Sequence, residues 1–223
     1  MTLQEAIQTR HSVRQYLNKP IEAGKIAQLQ TLIEESNREA DLHMQLVVDE
    51  PKAFSQGLAK YGKFRGVNNY IAMICKKGDD TKLGYYGEKV VLFTQTLGLN
   101  TCWVGLTFSK QPDMFEVRSG EHLVCLVPIG YGATQGVQHP QKKTIDDVAD
   151  GKPFPEWFVR GVEAALLAPT AINQQKFVFV FLGGNKVKAK TRFTMLNGYA
   201  PIDLGIAKCH FEIGAGKENF EWV

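Results

Sequence analysis

The segment NYIAMICKK, residues 69–77, is a continuous apolar run with the length of a single strand. Two later segments have the same character, HLVCLVPIGYG at 122–132 and KFVFVFLGG at 176–184. A strand that faces water on one side alternates apolar and polar residues, so these unbroken runs indicate strands covered on both faces. We therefore predict a sheet that is buried beneath helices.

Apolar residues at helical spacing occur on both sides of these strands. Helices are predicted for residues 2–10, from Pro20 onward, for 51–66, 85–99, 157–170 and 203–216. A further short strand is expected at 44–50, and Gly98 is a plausible end for the helix over 85–99. This mixture of helices and covered strands predicts an α+β or α/β fold.

The composition is that of a globular protein. Of 223 residues, 44% are hydrophobic and 22% are charged, which is enough apolar material to form a core and excludes disorder for most of the chain. No apolar run approaches the roughly 18 residues that cross a bilayer. A net charge of +3, with no basic helix or base-stacking motif, does not indicate nucleic acid binding. We expect neither a membrane nor a nucleic acid as a partner.

The cysteines and the N-terminus favour a reducing compartment. The four cysteines form no CxxC pair and lie in apolar surroundings, which is typical of buried free thiols. The first residues, MTLQEAIQTRH, contain no apolar core of a signal peptide. The five histidines form no HExxH motif and no cluster with cysteine, so no metal site is expected. We predict a cytoplasmic protein.

The segment RHSVR, residues 10–14, carries two guanidinium groups and a hydroxyl within five residues. In an extended chain Arg10, Ser12 and Arg14 would lie on one side. Guanidinium groups bind phosphate through paired, charge-assisted hydrogen bonds, so this segment is a candidate phosphate site. The alternative is a solvated basic turn.

Two other segments combine small residues with polar ones. APTAINQQ, residues 168–175, could approach a planar heterocycle and offer amide groups to its edge, or it could be an ordinary helix stop. LGLNTCWVG, residues 97–105, ends in Gly105, which would let the backbone approach a ligand, although a plain helix–strand turn would look similar.

Together these segments resemble the nitroreductase family of FMN-dependent oxidoreductases. RHSVR resembles the family's R-x-S-x-R/K signature, LGLNTCWVG resembles its LGLGTCWIG segment, and APTAINQQ resembles its PSAGNQQPW loop. LVPIGYG followed by HPQKKTIDDVA resembles its strand end and basic tail. The resemblance extends over residues 3–215 and implies an α+β, nitroreductase-like fold, with a mostly antiparallel central sheet flanked by helices.

The resemblance also implies ten cofactor-binding residues and no acid or base residue for catalysis. The FMN phosphate and ribityl chain would be held by Arg10, His11, Ser12, Arg14 and Lys143. The flavin ring would be edged by Pro169, Thr170 and Asn173, and its N5 would face the backbone of Gly105 and Leu106.

The activity implied by this resemblance is hydride transfer from NAD(P)H through FMN to a small-molecule acceptor, such as a nitroaromatic or a quinone. A single phosphate-binding segment and the absence of a dinucleotide fingerprint favour FMN over FAD. The alternative is a flavin-binding protein without efficient turnover, acting as a carrier or regulator.

One departure from the family concerns where the amide-rich loop lies. In ordinary members the PSAGN-type loop comes soon after the RxSxR signature, but residues 34–38 here read EESNR and do not match. The matching loop comes late. We therefore predict a first half over residues 1–150 with RHSVR and LGLNTCWVG, and a second half over 156–223 with APTAINQQ, both sharing one core. Such a chain would be an internal pseudo-dimer with a single FMN, whereas the alternative is an ordinary homodimer.

Overall fold

The computed structural model describes residues 1–139, 142–193 and 197–223, with only the backbone of Asn197. Within these ranges the helices are α1 (Leu3–Thr9), α2 (Ala23–Ala40), α3 (Asp80–Thr96), α4 (Ile145–Val148), α5 (Glu156–Leu166) and α6 (Ala200–Ala215). The strands are β1 (Gln45–Val47), β2 (Asn69–Lys76), β3 (Asn100–Thr101), β4 (Glu121–Gly130), β5 (Ala149–Asp150), β6 (Phe177–Phe181), β7 (Lys186–Thr191) and β8 (Glu221–Trp222). The predicted α+β class is confirmed. None of the described helices is both long and apolar enough to cross a membrane.

The first sheet is fully antiparallel, with the strand order β1-β2-β4-β3. Every residue of β2 except the last is buried, as its unbroken apolar run predicts. Helix α3 begins four residues after β2 and ends where Gly98 adopts a φ of 75°, which confirms the predicted helix end.

The second sheet has the order β5-β6-β7-β8 and is mixed. The β6–β7 pair is antiparallel and the two outer pairs are parallel. The sequence did not predict β7, because its lysines alternate with small apolar residues instead of forming an apolar run. Val187 is buried while Lys186 and Lys188 are exposed, which is the pattern of a half-covered strand.

The helix predicted over residues 51–66 is wrong. The structure has a single 3-10 helix there, Gly57–Gly62. Gly57, Lys63 and Gly66 all have positive φ angles near 60°, which interrupt a right-handed helix. Most of this segment is therefore a loop, which packs Ala53, Phe54 and Ala59 into the core.

The two halves of the chain contribute to one hydrophobic core. A single cluster of buried residues contains Leu29 and Ile71 from the first half and Phe158, Phe177 and Phe211 from the second. Burial of one large apolar side chain stabilises a fold by roughly 1.5–3 kcal/mol, so neither half can expose its share of this cluster without a large cost.

A repeated order of elements relates the two halves. The succession helix–strand–strand–helix–strand occurs as α2-β1-β2-α3-β3 and again as α5-β6-β7-α6-β8. The first two strands of each copy pair antiparallel. The fourth and fifth elements of the second copy, α6 and β8, lie about 121 positions after α3 and β3. The two parts of the chain thus share an order of elements, although the sequence similarity between them is faint.

Helices α3 and α6 cross at two glycines in a reciprocal contact. A Cβ added to Gly84 would lie 2.2 Å from the backbone oxygen of Ile202, and one added to Gly205 would lie 2.0 Å from that of Thr81. Ile202 and Gly205 each follow their counterparts, Thr81 and Gly84, by 121 positions. Each helix therefore contacts the other through a glycine and a backbone oxygen at equivalent positions.

Replacing Gly205 with Ala should destabilise the protein by about 1–3 kcal/mol, because the new methyl group would force α3 and α6 apart. Urea unfolding followed by circular dichroism measures this loss. Gly24→Ala is the matched control, since Gly24 lies in α2 with nothing within 4 Å of its Cβ position. That change should stabilise the protein by about 0.5–1 kcal/mol. Equal effects at both positions would contradict the tight crossing.

Candidate functional site

A cavity of about 560 Å³ lies between the two halves of the chain. Its first-half wall comes from residues 7–14 and 102–107, and its second-half wall from residues 166–175 and the start of α6. This volume falls within the range of small-molecule binding sites. Both halves of the same chain are therefore needed to form the site.

The RHSVR segment is extended and forms one wall of the cavity. Ser12 forms a β-bridge with Thr101, and the N–H of Val13 donates to the Thr101 carbonyl at 3.0 Å. Val13 points into the core, while Arg10, Ser12 and Arg14 line the cavity. The predicted alternation of this segment is confirmed, except that His11 also lines the cavity.

Arg10 is the most deeply buried cationic side chain among the described residues that line the cavity. It is only 7% exposed, and its Nε and Nη1 atoms are buried with no hydrogen-bond partner among the described residues. A buried guanidinium without acceptors is costly, so such groups are rare unless a ligand completes them. Burial and the charge of Arg10 lower the pKa of the adjacent His11, which favours its neutral form.

The loop that follows α5 forms the opposite wall, and Pro169, Thr170 and Asn173 all line the cavity. Three of its residues, none of them glycine, have positive φ angles: Ile172 at 48°, Asn173 at 55° and Gln175 at 46°. Strain of this kind persists only where surrounding contacts enforce it, and it is concentrated at functional sites.

Hydrogen bonds from within the second half hold this loop. The Asp203 carboxylate accepts from the N–H of Ala171 at 3.0 Å and from Nε2 of Gln174 at 2.9 Å. The Thr170 hydroxyl accepts from the N–H of Gln175, whose own Nε2 donates to the Leu166 carbonyl. The Oε1 atom of Gln175 is buried and lacks a partner among the described residues, so an acceptor remains at the cavity wall.

Gly105 and Leu106 line the cavity at the end of the LGLNTCWVG segment. A Cβ on Gly105 would lie 2.5 Å from the ring of Tyr199, which begins α6. A side chain at position 105 would therefore collide with an aromatic ring from the other half of the chain. Leu106 is 67% exposed and forms part of the cavity rim.

Of the ten predicted site residues, nine line the cavity and Lys143 does not. The neighbouring Lys142 lines it instead, since the side chains of consecutive residues point in different directions. The binding roles of the ten residues stay predictions. Part of the basic tail, residues 140 and 141, lies outside the described residues.

Sequence reasoning missed several buried polar groups on helices α3 and α6. Glu88 on α3 and Asp203 and His210 on α6 are buried, and Asp203 lines the cavity. Ionisable residues within an otherwise apolar helix face are a signal that could have identified them. Their partners lie too far along the chain for any spacing rule to find.

The structure also brings together a group of three side chains that the sequence did not predict. Cys75 on β2, Asp80 at the start of α3 and His122 on β4 have ligand-type atoms within 4.8 Å of one another. The Nε2 atom of His122 lies 3.1 Å from Asp80, which accounts for their proximity as an ion pair.

The antiparallel sheet, the helices that cover it and a cavity with a buried arginine define a protein of the nitroreductase class. The chain belongs to the family described as "Putative TM nitroreductase", whose model matches residues 2–215. No protein of curated function matches the chain.

Two solved structures share the fold. A protein from Thermotoga maritima, described as a putative nitroreductase, is 22% identical and superposes with a TM-score of 0.71 over 98% of this chain and 85% of its own. A putative nitroreductase from Desulfovibrio desulfuricans in complex with FMN is 15% identical, with a TM-score of 0.52 over 70% of this chain and 99% of its own. At these identities the likeness concerns the fold.

The wild type should show a pH dependence of folding stability that the Asp203→Asn variant lacks. Burial, opposed by hydrogen bonds from Gln174 and Ala171, raises the pKa of Asp203 from 3.8 to about 6. The folded protein thus retains a proton that the unfolded chain releases near pH 4. This contribution is complete below pH 4 and is lost as the pH rises through 6, by about 3 kcal/mol in total.

Urea unfolding of both proteins at pH 4 to 7 measures this difference. Relative to the variant, the wild type should lose stability across that window. Asp146 is exposed and pairs with Lys152, so it provides a control. The stability of Asp146→Asn should change with pH as that of the wild type does. An Asp203→Asn profile parallel to the wild type would contradict the burial argument.

Proposed function

We propose that one chain forms one FMN site and acts as an NAD(P)H-dependent oxidoreductase on nitroaromatics, quinones or similar electron-poor acceptors. The observation that carries this proposal is the buried guanidinium of Arg10, whose Nε and Nη1 atoms have no hydrogen-bond partner among the described residues, in a cavity of about 560 Å³ shared by both halves of the chain. The family and the FMN-containing Desulfovibrio structure support the choice of cofactor.

The residues present fit FMN. Arg10, Arg14 and Lys142 supply positive charge at the cavity, which suits a terminal phosphate. The partnerless Oε1 of Gln175 offers an acceptor for a ring N–H, and the strained loop at residues 170–175 presents its backbone to the cavity. When bound, FMN would supply hydride transfer in two half-reactions, and the protein would contribute its orientation and electrostatics.

The cavity rim favours an apolar, planar partner. Leu106, Val137 and Ile172 line the cavity, and they are 67%, 83% and 80% exposed. Exposed apolar side chains around a cavity mark a surface that binds other molecules. A rim of this type suits aromatic acceptors and the nicotinamide ring better than charged substrates.

The location of the site within one chain supports a monomer. Residues 10–14 and 168–175 line one cavity of the same chain, so no second copy is required to bring them together. A covalent link between the halves also avoids the several kcal/mol that association costs. The same arrangement supports the division into residues 1–150 and 156–223.

Titration of the purified protein with FMN tests the proposal. We expect flavin fluorescence to be quenched at a ratio of one FMN per chain, with light scattering giving a mass near 24.9 kDa. Under anaerobic conditions NADH or NADPH should bleach the bound flavin, and a quinone should restore its colour. Absence of FMN binding would refute the proposal. Binding without bleaching would favour a carrier or regulator.

Arg10→Ala should raise the dissociation constant for FMN by roughly 10- to 100-fold, because a hydrogen bond to a charged group contributes about 1.5–3 kcal/mol. Flavin fluorescence titration measures the change. Arg160→Ala serves as the matched control, since Arg160 is half-exposed on α5 and pairs only with Glu156 among the described residues. Similar losses in both variants would argue against a specific anion contact at Arg10.

A further inference from the structure

The guanidinium of Arg10 lies beside a fully buried carboxylate. Its Nε atom is 3.9 Å from Oε1 of Glu88, which is within ion-pair range but beyond a hydrogen bond. Glu88 has no exposed surface and lies on α3, one helical turn after the Gly84 crossing. Arg10 is thus attracted to a fixed anion while its buried N–H groups remain free to donate elsewhere.

Glu88 is itself held by two donors from different elements. Its Oε2 accepts from the indole Nε1 of Trp103 at 2.7 Å, and its Oε1 lies 2.8 Å from Nε2 of His210 on α6. The His210 ring is also fully buried, and its Nδ1 lies 3.1 Å from the carbonyl oxygen of Ala164 on α5. Both carboxylate oxygens and both ring nitrogens therefore have a partner.

These contacts limit how many hydrogens the Glu88 carboxyl group and the His210 ring carry together. A carbonyl oxygen can only accept, so Nδ1 of His210 must carry a hydrogen. The contact between Nε2 and Glu88 needs one more hydrogen, either on the ring or on the carboxyl group. The positive charge of Arg10 and the N–H of Trp103 both stabilise the carboxylate. This arrangement favours the hydrogen on the ring, which would make His210 an imidazolium.

We infer that Glu88 and His210 form a buried ion pair that positions Arg10 as an anion receptor for the cavity. The inference rests on the proposed function, in which the anion is the FMN phosphate. Two cations share one carboxylate, so the cluster keeps one surplus positive charge beside the cavity. Glu88 fixes the guanidinium without occupying its Nε and Nη1 donors, which leaves them available to a phosphate oxygen.

This network gives the second half a role in the anion site. Arg10 and Glu88 belong to the first half, but the imidazolium and its carbonyl acceptor come from α6 and α5. The receptor on residues 10–14 is therefore completed by residues 156–223. Glu88 and His210 are positioning residues, because they act on the ligand through Arg10.

The Glu88→Gln variant tests the ion pair. The amide oxygen can still accept from Trp103, and the amide nitrogen can donate to a neutral His210, so all partners remain satisfied. The net charge of the cluster also stays at one positive charge. Only the attraction on Arg10 is lost, and the dissociation constant for FMN should rise roughly tenfold.

A second measurement does not depend on the cofactor. In the protein without FMN, nitrogen-15 NMR of the histidine rings at neutral pH should show His210 doubly protonated in the wild type and singly protonated in Glu88→Gln. A singly protonated ring in the wild type would overturn the ion pair. The NMR measurement tests the ion pair independently of FMN, whereas the proposed function fails if the wild type binds no FMN.

Glu212→Gln is the matched control for affinity. Glu212 lies on α6 and accepts from the indole of Trp222 and from Lys217, as Glu88 accepts from Trp103, but its ion pair is with Lys217 and not with Arg10. We expect this variant to bind FMN as the wild type does. If both variants lose affinity equally, or if Glu88→Gln binds FMN normally, Glu88 does not position Arg10.

Discussion

The close crossing of α3 and α6 is the constraint on which the rest of the structure depends. The backbones touch because neither Gly84 nor Gly205 has a side chain. Glu88 lies one turn beyond the first glycine and His210 lies five residues beyond the second, so the crossing brings these two buried groups within 2.8 Å. A wider crossing would separate them and would leave a charged group buried without its partner, which is strongly destabilising.

The same crossing positions the cavity between the halves. The start of α6 brings Tyr199 against Gly105 and carries Asp203, whose carboxylate holds the loop at residues 170–175. Features that are unfavourable in an isolated fold gather there, namely two Arg10 nitrogen atoms with no hydrogen-bond partner in the described part of the chain and positive φ angles in the loop. Local rules are broken mainly where binding requires it, which is why these features indicate a site.

A site built between the halves of one chain has a consequence for stability. Folding and formation of the binding site become the same event, because the shared core and the anion network both need the second half. In the proposed monomer, no concentration-dependent association step is involved. A bound ligand that contacts both walls would in turn stabilise the packing of the halves.

The sequence by itself determined the features that depend on near neighbours. Unbroken apolar runs located β2, β4 and β6, the position of Gly98 ended α3, and the spacing in residues 10–14 placed three side chains on one wall. The lysine-rich strand β7 was not predicted, because its lysines alternate with small apolar residues and no unbroken apolar run marks it. The polar segment at 51–66 was predicted to be a helix, but the left-handed residues Gly57, Lys63 and Gly66 interrupt it.

Only the tertiary structure decided which of these segments meet. Glu88 and His210 are 122 positions apart, and Tyr199 lies 94 positions after the glycine that it covers. Periodicity reports how a residue is buried, but it does not identify the atoms that surround it. The pairing of buried charges is set by the crossing of α3 on α6, so the support of Arg10 and the choice of Lys142 over Lys143 at the cavity emerge only when the chain is folded.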